Sequence, residues 1–303
     1  MLIWVPMEPV AQALEGLDGV RVEVRAPDGT DLPASAADVE FYVPPFFPGP
    51  DSVAAMAQMP SLKVVQTLTA GFDRVRPYVP AGAVLCNARG VHDASTAEWV
   101  VGAAIAALRQ FQYFAAEQAA GRWSYRSTDS LAGKTVLIVG YGSIGQAVER
   151  RLTGFQVQLR RVARSAREGV SPASALPDLL PEADVVVVLA PVTKETVGMV
   201  DAAFLAQMKD GALLVNAARG VLVVTEALVA EVSSGRLSAA MDVTDPEPLE
   251  PGHPLWALPN VLITPHVGAS TPYSVMTAHG FVREQAERYL AGQPLLNVIT
   301  GDY

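Results

Sequence analysis

The stretch KTVLIVGYGSIGQAVERRL, residues 134–152, constrains this chain more than any other. Residues 134–140 run too continuously apolar to be half exposed, so they predict a strand covered on both faces of a sheet. Gly140-Tyr141-Gly142-Ser143-Ile144-Gly145 follows at once and fits G-x-G-x-x-G. Alone, that pattern occurs in many loops. Between a buried strand and a helix read over 146–152, its glycines bring backbone N–H groups and a helix N-terminus onto a pyrophosphate.

Such a unit needs neighbours of the same kind, and the chain supplies them. Short β-branched runs at 1–5, 20–24, 39–43, 62–68 and 83–86 are punctuated by Gly and Pro, with a helical stretch at 53–59, which is the alternation of βαβ units around a parallel sheet. Beyond the glycine-rich turn, strands at 157–162, 185–189, 212–216, 239–242 and 261–264 join 134–140 as six strands of one Rossmann-type sheet. Between the two sets a long helix is read from Ser95 to Gln118, because Ser95 and Glu98 have the spacing of a capping box. A last helix is read to about 290, with Thr271 as N-cap and Pro272 in the first helical position. At 303 residues, half of them hydrophobic, the chain can bury two cores.

Composition excludes several classes. A net charge of −9 with 22 basic residues spread along the sequence argues against a nucleic-acid partner. The one cysteine, Cys86, allows no intrachain disulfide framework and no thiolate cluster; it reads as a small core residue, and a reducing, cytoplasmic setting is expected. The apolar stretches 99–108 and 185–189 fall well short of the roughly 20 residues of a membrane span, and MLIWVP reads as a first strand instead of a leader. No membrane partner is expected. His253 and His279 have no companions at metal-ligand spacing, so no metal is expected either. His92 and Asp93 read as capping or loop residues, and Trp256 and Tyr273 as either ligand-lining or core aromatics.

Three stretches near the carboxyl ends of predicted strands carry polar residues that a core does not need: Asn216-Ala217-Ala218-Arg219-Gly220, Asp242-Val-Thr-Asp-Pro-Glu247, and Thr264-Pro-His266-Val-Gly268. A guanidinium such as Arg219 can hold a carboxylate in a bidentate fork and still donate toward an adjacent carbonyl oxygen. Reduction of a 2-oxo acid also needs a proton donor, for which His266 is suited, and a carboxylate to orient it, for which Glu247 is the candidate. Singly, each has a plain structural reading as a surface ion pair, a loop acid or a turn histidine. After the first strand of the cofactor unit, NAD calls for an acid about 20 residues on. Here Arg160, Arg161, Arg164, Ser165 and Arg167 stand with no acid before Glu168, which favours NADP over NAD, although some of these arginines can be solvated surface.

Together these stretches resemble the D-isomer specific 2-hydroxyacid dehydrogenases. VQTLTAGFD, NARGVHDASTAEW, VGYGSIG, VNAARG, DVTDPEPL and HPLWALPNVLITPHVGAS carry the resemblance, from about residue 62 to 297. It implies an α/β protein of two Rossmann-like domains with parallel sheets: a flavodoxin-like substrate-binding domain over 1–94, completed by 274–303, and an NAD(P)-binding domain over 95–273. It implies Arg219 as substrate ligand, His266 as acid/base paired with Glu247, and Asp242 on the nicotinamide carboxamide. Backbone N–H groups of Thr69, Ala70 and Gly71 would meet the substrate carboxylate. Cofactor contacts would come from Gly140, Gly142, Ser143, Ile144, Gly145, Arg164, Ser165, Ala190, Pro191, Thr196, Ala217, Ala218, Arg219, Asp242, His266 and Gly268. It also implies a homodimer through the 95–120 helix region, with Trp99 at the interface.

Within the family, DVTDPEPL followed by HPLW looks most like the glyoxylate and hydroxypyruvate reductases. Formate, phosphite and 3-phosphoglycerate dehydrogenases are the alternative enzymes; the chain's early stop after the last helix is expected to count against the last of these. A nucleotide-sensing corepressor on the same fold is the alternative of another class, and the intact Arg219, Glu247 and His266 argue against it.

Overall fold

This computed structural model describes residues 1–29 and 31–301. The chain divides into two compact units, Met1–His92 with Pro272–Tyr303, and Asp93–Thr271. The sequence puts the breaks at 94/95 and 273/274; residues 302 and 303 of the range it gives to the first unit lie outside the described residues.

The first unit holds strands β1 (Leu2–Val5), β2 (Arg21–Val24), β3 (Val39–Tyr42), β4 (Val64–Gln66) and β5 (Val84–Cys86). All pair in parallel in the order β2-β1-β3-β4-β5, the flavodoxin-like arrangement. Successive residues of a strand face opposite sides, and both sides are covered. Leu2 and Trp4 pack with Met56 and Phe72 on one side, Ile3 and Val5 with Val10, Ala278 and Val282 on the other. This double burial is why LIWV has no polar position. The terminal helix Pro272–Leu290 is tied across this unit by Arg283, whose guanidinium donates to the carbonyls of Ala13 and Glu15, each 2.9 Å away, at the end of helix Glu8–Ala13.

The second unit holds β6 (Thr135–Val139), β7 (Gln158–Ala163), β8 (Ser171–Pro172), β9 (Val185–Val188), β10 (Leu213–Asn216), β11 (Ser238–Met241) and β12 (Val261–Ile263), in the order β12-β11-β10-β9-β6-β7-β8. Counted from β6 this is the Rossmann order 3-2-1-4-5-6 with one further strand. The six expected strands are present. The seventh, β8, pairs only through Ser171 and Pro172, too short to show any periodicity. Val186 and Val188 enter one core and Val185 and Val187 the other, so the run VVVV is apolar throughout.

Several local readings need correction. The long helix starts at Asp93 and ends at Leu108. Gln110 is left-handed at φ 53°, which stops the helix, and a second one covers Phe111–Ala119. Ser95 is not a cap: it is buried inside the helix, its hydroxyl 2.7 Å from that of Thr271. His92 does lie in the turn before this helix, as read, and it is buried, with Nε2 donating to the Leu68 carbonyl at 2.8 Å. Helical residues at 53–59 resolve into helix Pro50–Ala54 followed by a 3-10 turn Ala55–Gln58, and pairing over 62–68 is limited to Val64–Gln66. Trp256 and Tyr273 are 54% and 63% exposed, so neither is core.

Cys86 is fully buried in β5, and burial pushes its thiol up to about 11. Because the thiolate is the reactive form, the native thiol at about pH 8 should react with Ellman's reagent at least about 100-fold more slowly than the chain unfolded in guanidinium. Comparable rates would mean that β5 opens readily.

Candidate active site

Register alone gathers most of the candidate residues of the second unit. Val139, Val188, Asn216, Met241 and Ile263 are partners across β6, β9, β10, β11 and β12. The residues that follow each strand therefore leave the sheet along a single edge: Gly140, Leu189-Ala190-Pro191, Ala217-Ala218-Arg219, Asp242, and Thr264-Pro265-His266. The carboxyl edge is where open α/β sheets bind ligands.

The glycine turn shows why its residues are glycines. Gly140 has φ 103°, and a Cβ there would sit 2.4 Å from the backbone nitrogen of Ala190. Gly142 differs. Its backbone is extended (φ −95°, ψ −154°) and a Cβ would have nothing within 4 Å, so the protein itself does not require glycine there. An open approach to the first turn of helix Ser143–Leu152 is what a dinucleotide pyrophosphate needs, and Ser143, Ile144 and Gly145 open that helix. The residues present thus fit a nicotinamide dinucleotide. Thr196 braces the neighbouring loop, its hydroxyl donating to the Pro191 carbonyl at 2.6 Å.

The arginines around β7 separate by their partners. Arg161 is bonded to Glu149, which also accepts from the Tyr141 hydroxyl, and Arg160 lies 3.6 Å from Glu182. The Glu149 carboxylate holds the Arg161 guanidinium well above its usual range, and the Arg161 bond in turn holds Glu149 low. These two arginines belong to the framework. Arg164 and Ser165 follow directly after β7, and Arg167 donates to the Tyr141 carbonyl in the glycine turn.

At the other end of the edge Asp242 is 4% exposed. Its Oδ1 accepts from the Thr264 hydroxyl at 2.6 Å and the Val267 N–H at 2.9 Å, and its Oδ2 from the Gly268 N–H at 2.8 Å. Its carbonyl accepts the His266 N–H at 2.7 Å. His266 is thereby held at φ 54°, a left-handed conformation that costs a non-glycine residue about 1–3 kcal/mol. Its Nδ1 lies 2.6 Å from Glu247 Oε1. A carboxylate only accepts, so Nδ1 carries the proton. Both side chains are about a quarter exposed, 26% for His266 and 27% for Glu247, so the pair is reachable from solvent.

Arg219 is set by a residue to which the sequence assigns no role. Asn216 is fully buried; its amide nitrogen donates to the Arg219 carbonyl at 3.0 Å and its oxygen accepts the Ala218 N–H at 3.0 Å. Thr264 is a second such residue, through its bond to Asp242. An amide ending the apolar run ALLVN was the available signal for Asn216; nothing local marks Thr264. Thr69, Ala70 and Gly71 belong to the first unit, in the turn after β4. Among the described residues no group of three or more His, Cys, Asp or Glu side chains lies together as a metal site.

Comparison with known proteins agrees with this arrangement. Residues 101–268 match the profile of the D-isomer specific 2-hydroxyacid dehydrogenase, NAD binding domain. The chain belongs to the D-isomer specific 2-hydroxyacid dehydrogenase family of NAD(P)-dependent oxidoreductases. It is 35% identical over 231 residues to a glyoxylate reductase of Thermofilum pendens, covering 71% of this chain and 68% of that one. It is 34% identical over 310 residues to the D-3-phosphoglycerate dehydrogenase of Mycobacterium leprae, covering 97% of this chain but only 58% of that enzyme. Among solved structures it resembles an NADPH-dependent glyoxylate/hydroxypyruvate reductase of Sinorhizobium meliloti in complex with NADP and malonate, at 27% identity and a TM-score of 0.84, covering 99% and 96% of the two chains.

The contrast between the two glycines gives a test. Gly140→Ala drives a Cβ into backbone and should cost about 2–4 kcal/mol in thermal or denaturant unfolding. Gly142→Ala should leave stability within about 0.5 kcal/mol yet weaken NADPH binding about tenfold or more in a fluorescence titration. Unchanged affinity in Gly142→Ala would remove the pyrophosphate from this turn.

Proposed function

We propose that the protein reduces a small 2-oxo acid to the D-2-hydroxy acid, with glyoxylate and hydroxypyruvate as the substrate class and NADPH as the preferred hydride donor. The observation that carries the reading is the 2.6 Å contact of His266 Nδ1 with Glu247, on the same sheet edge as the dinucleotide turn and the Arg219 loop. The bound nicotinamide supplies the hydride. Arg219 holds the substrate carboxylate and draws electron density toward the 2-oxo oxygen. His266 delivers the proton to that oxygen from Nε2, and Glu247 keeps the ring oriented and complements the charge that arises on it during exchange.

In this reading the Asp242 carboxylate has a double use: it fixes the loop of His266, and Oδ2, with one donor, can accept a second from the nicotinamide carboxamide. Backbone N–H groups at Thr69, Ala70 and Gly71 bind the carboxylate from the first unit. Ala190, Pro191, Thr196, Ala217, Ala218 and Gly268 line the dinucleotide, and Arg164 with Ser165 takes the 2′-phosphate of NADP. Support for the cofactor choice comes from the S. meliloti relative, which is NADPH-dependent, whereas Arg160 and Arg161 are paired with Glu182 and Glu149 and add nothing to it.

We also read the enzyme as cytoplasmic and as a homodimer. The apolar face of helix Asp93–Leu108 packs on its own sheet, so the helix alone does not argue for a partner. The segment that follows does: Trp123 is 100% exposed and Tyr125 90%, although Arg122 and Ser124 are bonded to the preceding helix.

Turnover read at 340 nm should show oxidation of NADPH in preference to NADH with glyoxylate or hydroxypyruvate, in a panel that includes 3-phosphohydroxypyruvate. His266→Ala should lower kcat about 10²–10⁴-fold with NADPH affinity kept. Arg164→Ala should raise the KM for NADPH about tenfold and leave that for NADH within about twofold. No turnover of any 2-oxo acid by the wild-type protein would end the enzymatic reading, and NADH preference would end the Arg164 assignment alone. In sedimentation velocity the wild type should run at twice the chain mass and Trp123→Arg as a monomer; an unshifted dimer in that variant would move the interface elsewhere.

A further inference from the structure

The turn Thr69–Gly71 is held entirely by its carbonyls. Thr69 O accepts from the Ala88 N–H at 2.9 Å and the Thr67 hydroxyl at 2.7 Å. Ala70 O accepts from the Asn87 amide nitrogen at 2.7 Å, and Gly71 O from the Thr69 hydroxyl at 2.7 Å. Every acceptor of the turn is thus drawn toward its own unit, while the N–H groups of Ala70 and Gly71 have no acceptor among the described residues. A turn anchored in this way offers donors and no acceptors, as a bound carboxylate requires.

Asn87 in turn is fixed by the returning C-terminal segment. Its N–H donates to the Asn297 carbonyl at 3.2 Å, its side-chain oxygen accepts the Arg89 N–H at 3.2 Å, and the Asn297 amide donates to the Arg89 carbonyl at 2.9 Å. Asn297 itself is left-handed at φ 52°. The segment is locked from beneath by Gln285, fully buried, whose amide accepts from Leu296 N–H at 2.9 Å and donates to Leu296 O at 3.0 Å and Gln66 Oε1 at 2.7 Å. Leu296 and Asn297, more than 200 residues from the turn in sequence, therefore determine where Asn87 stands.

We infer that Asn87 is a positioning residue for the substrate carboxylate: clamped by Asn297, it pins the Ala70 carbonyl so that the neighbouring N–H groups face the ligand. The inference rests on the assignment of the Thr69–Gly71 turn to the carboxylate made above. Asparagine suits the task because it donates to one carbonyl and accepts from Arg89 N–H without bringing a negative charge next to an anionic substrate.

The test uses the full-length enzyme with NADPH, and oxalate as a dead-end carboxylate. Asn87→Ala should raise both the KM for glyoxylate and the Ki of oxalate about tenfold, with kcat and NADPH affinity within about twofold, because only positioning of the anion is lost. Asn297→Ala should move the same two constants in the same direction by less. Val10→Ala, in the core of the same unit, serves as control: it lowers the melting temperature without moving either constant. Wild-type Ala70 and Gly71 amide resonances should shift on adding oxalate. If they shift and Asn87→Ala leaves Ki unchanged, or if Val10→Ala raises Ki as much, the positioning role is overturned while the turn keeps its assignment. If the amides do not respond to oxalate, the assignment of the turn fails and the inference with it.

Discussion

The second unit's chemistry depends on one buried carboxylate. Asp242 leaves β11 with four groups gathered on it: the Thr264 hydroxyl, the Val267 and Gly268 N–H groups, and, on its carbonyl, the N–H of His266. A carboxylate taken out of water costs several kcal/mol unless its lone pairs are met, and these donors meet them. The same bonds hold His266 in a left-handed conformation that the residue does not favour by itself. Without that conformation the ring has no fixed relation to Glu247. These hydrogen bonds therefore offset two costs at once, the buried charge and the strained backbone, and the outcome is an imidazole held against Glu247 on the sheet edge.

Parallel pairing does the rest of the gathering. Because β6, β9, β10, β11 and β12 are in register at their carboxyl ends, loops widely separated in sequence emerge side by side. The glycine turn at one end and the His266–Glu247 pair at the other then need no special contact to be brought onto one edge; the sheet imposes it. Double burial makes the sheet stiff, and stiffness is what lets a short bond such as that of His266 to Glu247 persist at a partly exposed position.

These origins explain what could be read from the sequence. Strands buried on both faces write themselves as unbroken apolar runs, so VLIV, VVVV and ALLV were legible, as was a glycine turn whose neighbours on both sides are such elements. The candidate site residues were legible only as a set, since Arg219, Glu247 and His266 each have an ordinary surface reading. Features decided by tertiary contacts were not legible. Ser95 has the spacing of a cap, but its hydroxyl bonds to that of Thr271, 176 positions away in the chain. The break at Gln110 lies in a stretch with no Gly or Pro, where the backbone turns left-handed while Arg126 bonds the Gln110 side chain and Asp129 the Leu108 carbonyl. Thr264 looks like any strand-end threonine until Asp242 is placed beside it.

The same device recurs within each of the two units. Asn216 ends β10 and Asn87 follows β5 directly, and each uses its amide in both senses, accepting an N–H two residues ahead while donating to a loop carbonyl. An aspartate could make the first contact but not the second. A lysine or arginine could donate but would leave the N–H groups of Ala218 and Arg89 without an acceptor. A neutral side chain with one donor and one acceptor side satisfies the loop in each unit. The amide at each position is thus required by the hydrogen bonds of its own loop, since a side chain lacking either a donor or an acceptor would leave a backbone group unmet.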